Sequence, residues 1–430
     1  MKPVGRFEIV RDPLWNNIRV DALGMRLIDT PVFQRLRYVR QLGMAYLVYP
    51  GATHTRFEHA VGTYHLARRA LALFDESGAL ADVDAREPAL VRATALLHDV
   101  GHYPFSHALE EIGALHHEEV ARSLITGGLV ADVLTASLGV DAPERILSLI
   151  RGCSASPLQR LISGSLDLDK LDYLRRDAVM CGVAYGEIDV DRLLNSLVLL
   201  DDPATGLPTV GMLEKGLSAL ESLLFARYQM YRNVYWHHAV RSATAMYKRI
   251  VADAVHSGTL EPGGLATFTD EGILQALRDR SRHSMLDDLR ERRLYKRAFE
   301  CPAAELAPEA GEWIADDHAM ARAAEDALAL ELGLSPGDVL LDYPVKTQML
   351  ELDLPVLQRS GSVRRLTTEG WQATINLPKL SEELYRSARW LRVFTRTRRA
   401  LEPARVMRLV HRSAQDIRAR IETGDGLLTD

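Results

Sequence analysis

The chain has 430 residues, 47% of them hydrophobic, and carries a formal net charge of -6 with only three cysteines. This length predicts two or three domains, and the negative charge argues against a dedicated nucleic-acid surface. The cysteines are widely spaced, which excludes a disulfide framework and a thiolate zinc site. We therefore expect a globular protein of the reducing cytoplasm, and no apolar run of about 18 residues predicts a membrane span.

The first predicted elements precede residue 50. Residues 7–20 alternate loosely between turn signals, which predicts a short hairpin. Thr30 followed by Pro31 is typical of a helix start, and the apolar spacing after it predicts a helix of about three turns over 31–42.

The central stretch is the run ALLHDVGHYPFSH, where a predicted helix delivers His98 and Asp99 before Gly101 and Pro104 end it. Five histidines fall within this region and the residues just after it: His98, His102, His107, His116 and His117. A structural core does not favour so many imidazoles, because each needs partners at both nitrogens when it is buried. The cluster therefore predicts a metal or catalytic site.

Two other predicted helices carry matching ligands. His59 lies on an amphipathic helix before the central stretch, and Asp169 lies on a helix after it. Together with His98 and Asp99, they are spaced like side chains that converge inside a helical bundle. Two imidazoles and two carboxylates suit one divalent ion (Mn, Mg, Ni, Fe, Co or Zn) and leave two octahedral positions open.

The predicted secondary structure changes from helix to strand near residue 335. A long helical stretch with Arg227, Tyr231 and Tyr235 at four-residue spacing is followed by helical patterns to about residue 334. Strand-like alternation then follows, with a basic amphipathic helix over 404–420. We expect a mainly α fold, with a helical domain over 1–334 and a smaller α+β module over 335–430.

Four phrases in order, FQRLRYVRQLG, YPGATHTRFEHAVG, ALLHDVGHYPFSH and LDLDKLDYLRRDA, carry a family resemblance. Over about residues 20–250 the chain resembles the HD-domain phosphohydrolases, and within them the deoxynucleoside triphosphate triphosphohydrolases. The resemblance implies metal-dependent hydrolysis of deoxynucleoside triphosphates (dNTPs) to deoxynucleoside and inorganic triphosphate. It also implies a homo-oligomer (dimer, tetramer or hexamer) and an activating nucleotide.

The resemblance further implies a role for each site residue. His59, His98, Asp99 and Asp169 would be the metal ligands. His117, with His102 and His107, would transfer protons. Substrate contacts would come from eight residues: Arg56, Lys170 and Arg227 at the triphosphate, Tyr173 near the sugar, Asp177 at the 3′-hydroxyl, and Gln41, Leu42 and Tyr235 as the wall against a 2′-hydroxyl.

Two alternatives stay open from the residues alone. One is an HD phosphodiesterase or phosphatase for a nucleoside monophosphate or cyclic nucleotide, in which the extra histidines hold a second metal. The other is a nucleotide sensor or single-strand nucleic-acid-binding protein, which the basic segments 31–42 and 404–420 favour.

Overall fold

The computed structural model describes residues 7–281, 283–345, 353–366 and 377–429, with the backbone alone for 377–381. The helices are α1 (Ala22–Ile28), α2 (Pro31–Gln34), α3 (Arg56–Glu76), α4 (Glu87–Leu97), α5 (His117–Thr126), α6 (Gly128–Leu138), α7 (Ala142–Ile150), α8 (Leu168–Cys181), α9 (Val190–Leu194), α10 (Leu217–Met230), α11 (His238–His256), α12 (Asp270–Arg280), α13 (Ser284–Arg290), α14 (Glu312–Asp316), α15 (His318–Glu331), α16 (Leu377–Ala388), α17 (Pro403–His411) and α18 (Ala414–Thr423). The strands are β1 (Glu8–Asp12), β2 (Asn16–Val20), β3 (Leu197–Asp201), β4 (Pro208–Leu213), β5 (Lys296–Pro302), β6 (Val339–Asp342), β7 (Leu354–Leu357), β8 (Val363–Leu366) and β9 (Trp390–Thr395). The predicted mainly α fold class is confirmed.

The largest hydrophobic core lies between α3, α4 and α8 and extends over α6, α7 and α10. A second core surrounds α11, α12 and α13, and a third joins α15 and α17 to β6 and β9. Three of these helices, α3, α4 and α8, carry the predicted metal ligands in or next to their end turns. The predicted hairpin over 7–20 is also confirmed, because β1 and β2 pair antiparallel with Glu8 opposite Val20.

The predicted three-turn helix over 31–42 is wrong beyond its first turn. Thr30 caps α2 as expected, but a 3₁₀ turn over Arg35–Tyr38 follows, and Arg40 then forms a β bridge with Thr55. The backbone N–H of Arg56 bonds to the carbonyl of Val39 at 2.9 Å. Because this pairing uses the backbone of residues 39–41, the helix cannot continue.

Two sheets combine strands from distant parts of the chain. The first has the order β3-β4-β7-β8, and the second has the order β5-β9-β6. Each sheet therefore combines strands from before and after residue 335, so the described strands after that position do not form a sheet of their own. β5 corrects the expectation of helical patterns up to about residue 334, because its pairing with the remote β9 makes it a strand.

The helical stretches near Tyr231 and after residue 403 are each interrupted. The N–H of Trp236 bonds to the carbonyl of Tyr231 at 2.8 Å, which widens the turn between α10 and α11. The predicted basic helix over 404–420 is two helices, because Ser413 caps α18. Within the described ranges, no single helix is long and apolar enough to cross a membrane, and only the bent pair α5 and α6 meets that test together, by length and composition.

Candidate metal centre and the cavity around it

Three helices carry the predicted metal ligands in or next to one end turn. A capping box between Thr55 and Glu58 fixes the start of α3, which places His59 in its first turn. His98 caps the end of α4, with its Nδ1 3.0 Å from the carbonyl of Ala95. Asp167 caps the start of α8 by accepting the N–H of Lys170, which sets Asp169 in the first turn.

The four predicted ligands lie close together. Nε2 of His59 lies 2.7 Å from Oδ1 of Asp169 and 3.3 Å from Nε2 of His98. Asp99 lies within 3.5 Å of His98 and 3.7 Å of His59 through its two carboxylate oxygens. In a shell with bonds of about 2.1 Å, neighbouring ligand atoms lie roughly 3.0–3.4 Å apart. The donor atoms of His59, His98 and Asp169 lie close enough together to hold one divalent metal ion, and Asp99 lies next to this group.

A second layer of contacts orients His59. Its Nδ1 lies 2.8 Å from Asp172, whose two oxygens also accept two hydrogen bonds from Arg176 at 2.8 and 2.9 Å. The indole N–H of Trp15 donates to Asp172 at 2.5 Å, and Arg176 also contacts Asp12 at 2.8 Å. A carboxylate on the second nitrogen of a ligand histidine fixes its tautomer and ring orientation.

The electrostatics of this cluster favour an added cation. Burial alone would lower the pKa of His59, but the Asp169 and Asp172 carboxylates outweigh it and raise the pKa to about 10. Burial alone would raise the pKa of Asp99, but Arg56 and His98 hold it well below its usual range. The carboxylates are therefore ionised, and a proton on His59 stands where a metal bond would form.

The other histidines gather around Glu110 at the neighbouring wall. Nδ1 of His117 lies 3.0 Å from Glu110, His107 lies 3.4 Å from it, and Nε2 of His102 lies 3.1 Å from Asp99. The rings of His102 and His117 stack at 3.8 Å with an interplanar angle of 16°. A metal bonds in the plane of each imidazole, so two stacked rings cannot share one ion without rotating. Both groups have side chains that could hold an ion, and the geometry of the group around His59 suits a single ion better.

His117 and His116 differ in their surroundings. The side chain of His117 is 13% exposed, whereas that of His116 is 54% exposed. Burial lowers the pKa of His117 to about 4, so this ring is neutral near neutral pH. A neutral imidazole held at Nδ1 by Glu110 has its Nε2 available for a proton.

A cavity of about 860 Å³ opens beside the candidate metal centre. Every predicted site residue except His59 lines it, and His59 lies fully buried behind it. The lining residues are Gln41, Leu42, Arg56, His98, Asp99, His102, His107, His117, Asp169, Lys170, Tyr173, Asp177, Arg227 and Tyr235. The volume is within the range of small-molecule sites.

Cationic side chains border this cavity on several sides. Arg56 donates to Asp99 at 2.6 Å, and Lys170 donates to the carbonyl of Gly164 at 2.9 Å and contacts Asp167. Arg227 is 8% exposed, and its Nε has no hydrogen-bond partner within the described part of the chain. An unsatisfied buried guanidinium nitrogen is costly and is expected where an anionic ligand binds.

The far wall of the cavity is built around Asp177. Its carboxylate lies 2.7 Å from Nε2 of His54 and accepts the hydroxyl of Tyr235 at 2.8 Å. His54 is buried, so this contact lies inside the fold. The partners that sequence reasoning did not assign are Trp15, His54, Glu110 and Asp172. Of these, only Asp172 had a signal, because it shares a helix face with Asp169.

Comparison with known families matches most of the chain. The HD domain family matches residues 56–177, and the family described as the HD associated region matches residues 188–371. The chain is 38% identical over 290 residues to an uncharacterized protein of Methanocaldococcus jannaschii, which covers 67% of this chain and 59% of that protein. It is 32% identical over 262 residues to the deoxynucleoside triphosphate triphosphohydrolase SAMHD1 homolog of Dictyostelium discoideum, covering 57% of this chain and 48% of that protein.

Solved structures share the fold over nearly the whole chain. A hypothetical protein from Aquifex aeolicus superposes with a TM-score of 0.69 at 27% identity, covering 99% of this chain and 100% of that one. A phosphohydrolase from Bacteroides thetaiotaomicron has a TM-score of 0.70 at 23% identity, covering 91% of this chain and 100% of that one, and shows the fold alone. The chain spans between about a third and three fifths of the length of these curated relatives, for example 55% of an uncharacterized Bacillus subtilis protein and 34% of human SAMHD1.

Proposed function

Because the chain belongs to the HD-domain family, we propose that it hydrolyses dNTPs to deoxynucleoside and inorganic triphosphate. The observation that carries the proposal is one cavity that joins the cluster of His59, His98 and Asp169, with Asp99 beside it, to three cationic side chains, Arg56, Lys170 and Arg227. A triphosphate brings roughly four negative charges, and guanidinium and ammonium groups are its natural partners. The SAMHD1 relatives, whose names specify deoxynucleoside triphosphate triphosphohydrolase activity, support the choice of substrate.

The proposed metal ligands are His59, His98, Asp99 and Asp169. A divalent ion bound there supplies Lewis-acid stabilisation of the charge that develops on a phosphoryl group. The identity of the ion stays open among Mn, Mg, Ni, Fe, Co and Zn, all of which accept this donor set.

The reaction is a displacement at the α-phosphorus. A water oxygen forms a bond to the α-phosphorus while the bond between that phosphorus and the 5′ oxygen breaks. The attacking water loses one proton to solvent or protein, and the leaving 5′ oxygen gains one. His117 is the proposed proton donor to the 5′ oxygen, because Glu110 fixes its Nδ1 and the ring faces the cavity. His102, stacked on His117, and His107, on the other side of Glu110, support this ring.

In this proposal the His117 ring is neutral in the free protein and gains a proton when the substrate binds. Its pKa is about 4 because the ring is buried. The negative charge of a triphosphate raises the pKa of a nearby imidazole, so binding and protonation are coupled. The donor is thus charged only when a substrate is present.

The deoxyribose end of the site is formed by the far wall. We assign Tyr173 to sugar packing, Asp177 to the 3′-hydroxyl, and Gln41, Leu42 and Tyr235 to the close wall against a 2′-hydroxyl. The hydrogen bonds from His54 and Tyr235 hold the Asp177 carboxylate in one orientation, which supports a role in positioning a hydroxyl. Assembly into a homo-oligomer, activation by a nucleotide and a cytoplasmic location stay predictions.

Product identity tests the proposal directly. The protein, loaded with Mn²⁺, is incubated with each of the four dNTPs and four ribonucleoside triphosphates (NTPs), singly and mixed, and the products are separated by anion-exchange chromatography. We expect deoxynucleoside and inorganic triphosphate in equal amounts. Release of pyrophosphate or single phosphate without triphosphate contradicts the proposal, and turnover of a cyclic nucleotide instead supports the phosphodiesterase alternative.

A further inference from the structure

A carboxylate from the HD associated region lies behind one wall of the cavity. Asp270 is the first residue of α12 and is 2% exposed. Its Oδ1 accepts the backbone N–H of Phe105 at 2.8 Å. Its Oδ2 accepts the backbone N–H of Arg40 at 3.0 Å and the Arg40 guanidinium at 3.2 Å. One side chain therefore joins the 39–43 loop to the 103–107 loop.

The 103–107 loop has a conformation that needs such support. Phe105 and Ser106 have φ values of 58° and 63°, in the left-handed region that residues with a Cβ disfavour. The 39–43 loop approaches closely at Gly43, where a Cβ would lie 2.8 Å from the carbonyl oxygen of Phe105. The contacts around the two loops must therefore stabilise their shape.

Ser106 transmits this arrangement to the cavity. Its hydroxyl is shared between the carbonyls of Arg40 at 2.8 Å and Gln41 at 2.9 Å. The same oxygen accepts Nε of Arg56 at 3.2 Å, and NH1 of Arg56 reaches Asp99 at 2.6 Å. A chain of hydrogen bonds thus connects Asp270 to a proposed triphosphate contact and to the proposed wall against a 2′-hydroxyl.

We propose that Asp270 is a positioning residue that sets the substrate side of the cavity by clamping the 39–43 and 103–107 loops together. It does not touch the substrate and acts through Arg40, Phe105 and Ser106. The inference rests on the proposed function and adds that the HD associated region takes part in selecting the sugar. Asp270 contacts none of the proposed metal ligands, and only Asp99 is linked to the clamp, through Arg56, so we expect metal binding to be retained.

The test compares Asp270→Asn with the wild-type full chain, both loaded with Mn²⁺. The amide of asparagine cannot accept a hydrogen bond at its nitrogen, so one of the two loops loses its acceptor. Asp279→Asn is the matched control, because Asp279 is an exposed carboxylate on the same helix. We measure Mn²⁺ content, kcat and KM for a dNTP and its NTP, and amide hydrogen exchange of peptides that cover the two loops.

We expect Asp270→Asn to lower kcat/KM for the dNTP at least about tenfold, mainly through KM, with unchanged Mn²⁺ content. The preference for dNTP over NTP should fall as the wall loosens, and both loop peptides should exchange faster. An unchanged preference and KM overturn the proposal, and so does a parallel loss of Mn²⁺. A merely destabilised protein would lose both activities equally and leave KM unaltered.

Two further measurements distinguish failure of this inference from failure of the proposed function and from misfolding of the variant. If the wild-type protein hydrolyses no dNTP, the proposed function fails, and loop exchange alone judges the clamp: faster exchange in Asp270→Asn supports it and unchanged exchange overturns it. If Asp270→Asn does not fold, Ser106→Ala breaks the chain at its other end and should give the same loss of preference. A wild-type preference in Ser106→Ala overturns the proposal.

Discussion

Nε2 of His59 lies 2.7 Å from Oδ1 of Asp169, which joins the first turn of α3 to the first turn of α8 at the candidate metal centre. We predict that Asp169→Asn abolishes tight metal binding, because an amide oxygen is a weaker ligand than a carboxylate and cannot replace its charge. Metal analysis after dialysis should give less than one ion per chain. Asp191→Asn, at an exposed carboxylate that contacts Arg69, should retain the wild-type content, and equal metal content in the two variants would contradict the ligand assignment.

The support of His59 by Asp172 predicts a graded loss of metal affinity. Asp172→Asn should weaken metal binding by about 10–100-fold, because it removes the charged partner of Nδ1. Trp15→Phe removes only the indole donor to Asp172 and should have a smaller effect. Competition with a fluorescent chelator measures both. If Asp172→Asn binds the ion as tightly as the wild type, the carboxylate does not orient the ligand.

The raised pKa of His59 predicts that metal affinity increases with pH. In the metal-free protein the pKa is about 10, so this ring is protonated at neutral pH and must lose its proton to bind the ion. The dissociation constant for Mn²⁺ should therefore fall at least about tenfold per pH unit between about pH 6 and pH 8. Isothermal titration calorimetry in two buffers of different ionisation enthalpy should reveal the released proton. A flat pH profile without proton release would refute this exchange.

The difference between His117 and His116 predicts unequal effects on turnover. His117→Ala should reduce kcat by about 10²–10⁴-fold with a smaller change in KM, because it removes the proposed proton donor. His116→Ala should have a much smaller effect, since its ring is more exposed and lies 3.7 Å from Glu110. Steady-state kinetics with a dNTP decide the assignment. A larger loss in His116→Ala would transfer the donor role to that residue.

The unsatisfied Nε of Arg227 predicts an anion contact. Arg227→Ala should raise KM for a dNTP by about 10–100-fold, because it removes a buried charge-assisted hydrogen bond to the triphosphate. Arg232→Ala is a matched control, since that exposed arginine on the following turn bonds to the hydroxyl of Tyr228. Binding of inorganic triphosphate, measured by calorimetry, gives an independent readout. Equal binding by the wild type and Arg227→Ala would remove this residue from the triphosphate site.

The convergence of His59, His98 and Asp169 could be predicted from the sequence, since each lies in or at the end of a helix with clear periodicity. The spatial partners of those side chains could not be predicted in the same way. The role of Asp270 depends on packing, because Arg40 and Phe105, which it contacts, come from two separate segments far from it in the sequence. The helix predicted through Arg40 was wrong: the local pattern favours a helix, but the pairing of Arg40 with Thr55 determines the backbone there. β5 was missed for the same reason, as its partner β9 is remote.

The complete burial of His59 behind the cavity wall has a kinetic consequence. Of the proposed ligands, His98, Asp99 and Asp169 line the cavity, so we expect an ion to reach them from the side where the proposed nucleotide binds. A bound nucleotide should block this route. A chelator should therefore remove the ion far more slowly while a nonhydrolysable nucleotide is bound. We therefore predict that the ion binds before the nucleotide.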